Sequence, residues 1–123
     1  MRFLSMIRVQ ENTGKEPSER LMNEMGKLIE EATREGWLVT TAGLRPSGEG
    51  KRMRWNRGKL STTDGPFTET KEIIGGYAIL EAPSMAAAMK LTERFLRVHG
   101  DEWNVECEVR QLDGPEFGAA AGS

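Results

Sequence analysis

The chain is 123 residues long, with 17 basic and 19 acidic side chains and a formal net charge of −2. That length suits one domain with enough core to fold without a metal or disulfide staple. The near balance of charge points to neither nucleic acid nor a membrane surface, and the one cysteine excludes an internal disulfide framework and fits a reducing cytoplasm.

No apolar run approaches the roughly 20 residues of a membrane span. The opening Arg2–Val9 run is too short for a signal-peptide core and includes Arg8. It reads instead as a strand that is apolar on both faces, with Phe3, Ile7 and Val9 on one side and Leu4 and Met6 on the other. A polar loop over 11–17 follows. Ser18 then caps an amphipathic helix that buries Leu21, Met25, Leu28, Ile29 and Ala32, and Gly36 stops it. Residues 37–42 form a second strand, ended by Gly43 and Pro46. After a Pro/Ser/Gly loop over 46–50, residues 51–55 and 59–63 make a hairpin around Asn56-Arg57-Gly58.

The central segment opens on the Asp64-Gly65-Pro66 turn, crowds Glu69, Lys71 and Glu72 together, and closes on Gly75-Gly76. A strand over 77–82 and a helix begun by Pro83-Ser84 come next, with Ala88, Leu91, Phe95, Leu96 and Val98 mostly inward and His99-Gly100 at the end. The last strand alternates Val105, Cys107 and Val109 against Glu106, Glu108 and Arg110. From Asp113 the tail has no period, so the domain is expected over 1–112 with a tail over 113–123. The order β-α-β, hairpin, β-α-β places two helices on one face of an antiparallel sheet, an α+β ferredoxin-like split βαβ with an extra hairpin. The other face would be bare. A first strand apolar on both sides argues that a second copy covers it, giving a homodimer.

Residues 64–76 carry a resemblance. Asp64-Gly65-Pro66-Phe67, Glu69, Lys71-Glu72 and Gly75-Gly76 resemble the signature of DGPF proteins within the YCII-related family. Gly43-Leu44, Pro46, Val105 and Val109-Arg110 fall where that family has similar residues. The resemblance implies a dimeric α+β barrel, and association with extracytoplasmic-function sigma factors as one alternative role. It leaves the reaction open, and the residue pattern equally allows a structural dimer without catalysis.

The residues suggest a polar cleft that binds a small, anionic metabolite without a cofactor. Asp64 is a candidate acid/base group, or else a turn residue that caps nearby backbone N–H groups. Glu69 and Glu72 are further candidate catalytic carboxylates, with Lys71 as the anion-binding cation; the alternative is a solvated face of weak ion pairs. Gly65, Phe67, Gly75 and Gly76 complete the candidate binding set. The paired glycines permit close approach of a ligand or simply a bulge. Neither they nor Gly48-Glu49-Gly50 match a phosphate-loop pattern.

The cations Arg45, Lys51, Arg52, Arg54, Arg57 and Lys59, with Trp55 among them, read as an exposed or dimer-covered hairpin rather than a nucleic-acid surface. His99 reads as a helix terminator and Cys107 as inert core, which leaves no Cys–His nucleophile and no zinc-ligand spacing. Met22, Met25, Met85 and Met89 read as core or interface filler.

Overall fold

The computed structural model describes residues 1–10, 16–67 and 73–114. In chain order the elements are β1 (Arg2–Val9), α1 (Glu19–Glu35), β2 (Leu38–Gly43), a 3-10 turn (Ser47–Glu49), β3 (Lys51–Asn56), β4 (Lys59–Asp64), β5 (Ile73–Glu81), α2 (Met85–Val98) and β6 (Glu106–Gln111). A four-stranded sheet runs β2-β5-β1-β6 with every neighbour antiparallel, and β3-β4 form a separate two-stranded ribbon. Two helices and this strand order make the ferredoxin-like α+β arrangement expected from the element pattern.

Local chemistry explains the ends of the helices. The Ser18 and Ser84 hydroxyls accept from the Leu21 and Ala87 N–H groups, satisfying one orphan donor at each start. Gly36 takes φ 86°, the left-handed conformation that glycine adopts without penalty, and its N–H donates back to the Ala32 carbonyl. His99 Nδ1 lies 3.0 Å from the Phe95 carbonyl oxygen, so this histidine finishes α2.

The helices cover one face of the sheet. Leu28 and Ala32 of α1 and Phe95 of α2 pack with Leu38, Ala78 and Leu80, while Phe3 joins Ala82 and Ala88 in an adjoining cluster. Trp37 meets Phe95 edge-on at 5.8 Å between ring centroids. The inward set of α2 includes Thr92, buried at 4% exposure, which hydropathy alone passes over. Leu91 and Val98 are only partly buried against the core.

Register assigns the other face. Leu4 opposes Ile79 and Met6 opposes Tyr77, and this alternation puts all four on the side away from the helices, half-buried. The β1–β5 ladder pairs Ile7 with Gly76 and Arg8 with Ile74, skipping Gly75. That bulge carries β5 back to Ile73, four residues earlier than the apolar run from Tyr77 suggests. The two glycines therefore lie within the strand.

Candidate functional site

A cleft of about 470 Å³ opens where the helix-free face meets the hairpin base. Its walls come from three places: Arg8 of β1 with Ile73 and Ile74 of β5, the Leu44–Gly50 loop, and Arg52 of β3 with Phe67 beyond β4. The volume lies within the range of small-molecule sites.

Backbone close approach builds it. The Gly65 N–H donates to the Gly50 carbonyl at 2.9 Å, tying the end of the hairpin to the loop that precedes it. A Cβ on Gly65 would sit 1.7 Å from the Ser47 carbonyl oxygen, so no other residue fits without moving backbone. Ser47 is itself buried, and the Gly65–Pro66 peptide is cis. On the opposite wall the Leu44 N–H donates to the Gly75 carbonyl at 2.9 Å. A Cβ on Gly75 would fall 2.5 Å from Val9 Cγ2, and one on Gly76 3.1 Å from the Ala42 carbonyl oxygen. These glycines serve chain packing at the bulge, fixing where β2 ends and the loop turns away.

Three guanidinium groups stand around this apolar floor. Arg8 is held by Glu108 at 3.1 Å, a pair across neighbouring strands. Arg45 is forked onto Glu49, with Nε–Oε1 at 3.3 Å and Nη2–Oε2 at 3.0 Å. The Arg52 guanidinium carbon lies 4.0 Å from the Phe67 ring centroid, a cation–π stack. Exposed pairs such as Arg45–Glu49 are worth only ~0–1 kcal/mol, so an incoming anion can compete for the cation at small cost.

The sequence candidates separate around this cleft. Phe67 lines it. Gly65, Gly75 and Gly76 shape its supports. Asp64 ends β4 with its side chain 76% exposed and Oδ1 3.4 Å from Lys51 Nζ, outside the lining. Glu69, Lys71 and Glu72 lie outside the described residues. Among the described residues no group of three or more His, Cys, Asp or Glu side chains is placed to hold a metal.

Arg8, Ser47 and Glu49 carry no site signal in the sequence, where Arg45 and Arg52 read only as part of a basic run. The available signal was Gly43-Leu44-x-Pro46, a turn that sends the loop across the sheet end.

Cys107 lies on the helix side of β6, partly buried. Desolvation pushes its thiol pKa above the ordinary value and the neighbouring Glu106 charge adds to this, while a hydrogen bond with Ser5 partly offsets it. A thiol held protonated is a poor nucleophile.

The chain is 31% identical over 75 residues to an uncharacterized protein of Rhizobium meliloti (strain 1021), an alignment covering 61% of this chain and 60% of that relative. Residues 1–104 match the YCII-related domain, and the chain belongs to that family.

Proposed function

We propose that the protein binds a small metabolite bearing an anionic group in the cleft between the sheet end and the hairpin base. The observation that carries this reading is the lining itself: Leu44, Pro46, Ile73, Ile74 and Phe67 supply an apolar body, and Arg8, Arg45 and Arg52 supply cations around it. Guanidinium groups recognise carboxylate and phosphate through two parallel N–H donors. Glu49, swung off Arg45 by a bound anion, is a carboxylate positioned for proton transfer, and Asp64, Glu69 and Glu72 are the further acid/base candidates if the bound molecule is turned over.

A thermal-shift panel of small carboxylates, phosphates and their neutral analogues tests this on wild type, Arg45→Ala and Lys71→Ala. An anion at 100 times its dissociation constant stabilises the fold by about 2.7 kcal/mol, a shift of several degrees. The expected result is a shift for anions only, lost in Arg45→Ala. Equal shifts from the neutral analogues, or full retention in Arg45→Ala, would sink the reading.

We infer also that two copies pair through the helix-free face. Leu4, Met6, Tyr77 and Ile79 form an apolar patch there without a covering layer among the described residues. Light scattering over a dilution series reads this directly, and a monomer at every concentration would refute it.

A further inference from the structure

We propose that the β3–β4 ribbon is an arm that clasps a second copy of the chain, seating Trp55 on the partner. The inference rests on the pairing reading above and adds the surface that holds the pair together. Among the described residues its two strands pair only with each other and join neither edge of the four-stranded sheet. A two-stranded ribbon alone in water is marginal, and gains most from a surface to lie on.

The ribbon has an apolar face turned outward. Trp55 opposes Leu60 and Met53 opposes Thr62, so register places all four on one side. Met53, Trp55 and Leu60 are 69%, 72% and 56% exposed. The opposite face holds Arg52, which stacks on Phe67 at the cleft. Tryptophan and methionine side by side on one exposed face are the residue types enriched at protein-contact surfaces.

Charge selects the partner. Lys51, Arg52, Arg54, Arg57 and Lys59 give the segment Lys51–Leu60 five cations and no anion. The chain carries −2 and this segment +5, so the remainder carries −7. A basic, aromatic arm and an acidic body are complementary between copies of the same chain, and the arm's own body leaves Trp55 in water. Position agrees, because the cleft is shared by the arm's base (Arg52) and the end of the helix-free face (Arg8, Ile74). A copy seated on that face lies within reach of the arm, and the cleft between them becomes enclosed.

The test is sedimentation equilibrium on the full chain as wild type, Trp55→Ser, Arg54→Glu and Met22→Ser, the last removing another exposed apolar group, on α1. Wild type is expected to dimerise, Trp55→Ser to raise the dimer dissociation constant at least about tenfold, and Met22→Ser to leave it unchanged. Arg54→Glu should weaken pairing and flatten its dependence on salt. Melting of Trp55→Ser at high dilution should equal wild type, because the side chain is exposed in the single chain. A Trp55→Ser dimer as tight as wild type overturns the arm while leaving the pairing intact. A wild-type monomer throughout overturns both. Loss of oligonucleotide binding in Trp55→Ser with pairing unchanged would assign the ribbon to nucleic acid instead, and also overturns the arm.

Discussion

The two faces of one sheet differ in what completes them. The helix side is finished within the chain: Phe3 and Leu80 are fully buried, and Ala32 and Ala88 let α1 and α2 sit close. The helix-free side uses the same strands and comparable side chains, yet Leu4, Met6, Tyr77 and Ile79 stay half-buried, and the cleft and the ribbon adjoin it. Interior packing spends its contacts on stability, whereas the other side keeps its apolar and cationic groups available for something outside the chain.

Matched truncations on the two faces break or sustain this contrast. Leu80→Ala should cost about 3 kcal/mol, because a sealed core leaves a cavity that cannot collapse. Leu4→Ala, one register step away on the other face, should cost about 1 kcal/mol in dilute solution. Urea midpoints read both, and equal costs would mean that the faces are not different in kind. At concentrations where pairs form, the Leu4→Ala deficit should grow and the Leu80→Ala deficit should not.

Gly65→Ala comes next in size. Its methyl group meets a backbone carbonyl, not a yielding side chain, so the loop or the ribbon must shift at about 1–3 kcal/mol. Hydrogen exchange locates the damage. Amides of Gly50 and Gly65 should lose protection while those of β1 and β5 keep it, and a uniform loss would merge the cleft with the core.

The smallest effect concerns Cys107 on the helix side. Its thiol pKa is raised in the folded state, so the fold favours the protonated form. The corresponding stability is present below the unfolded thiol pKa of about 8.5 and declines as pH rises from there toward the folded value. Wild type should therefore lose slightly more stability than Cys107→Ala between pH 7.5 and 9.5. Identical pH profiles would show that this edge of the helix side is open to solvent.

What could be read in advance follows the same division. Period and caps located both helices: Ser18, Gly36, Ser84 and His99 each act through bonds to backbone groups a few residues away, which local sequence encodes. The two faces could be told apart for β6, where Val105, Cys107 and Val109 alternate with charge. The start of β5 could not be placed, because the paired glycines 75 and 76 read as a ligand approach or a bulge ahead of a strand from Tyr77 until Val9 and Ala42 are placed beside them. The cleft was harder still. Arg8, Arg45 and Arg52 belong to three separate segments, and only the crossing of the Leu44–Gly50 loop brings them together. Asp64-Gly65-Pro66 stands out in the sequence through its turn chemistry, yet the position with the strictest spatial demand in it is the glycine.

The place of β1 in the sheet has a consequence for how the chain is made. It sits between β5 and β6, and its Phe3 pairs with Leu80 and with Gln111. At ribosomal speeds of ~5–20 residues per second, several seconds pass between the appearance of this strand and that of either neighbour. For that interval a segment apolar on both sides has neither ladder partner. Nascent chains of this protein should therefore be clients of a holding chaperone until β5 emerges, and moving β1 to follow β6 by circular permutation would shorten the wait.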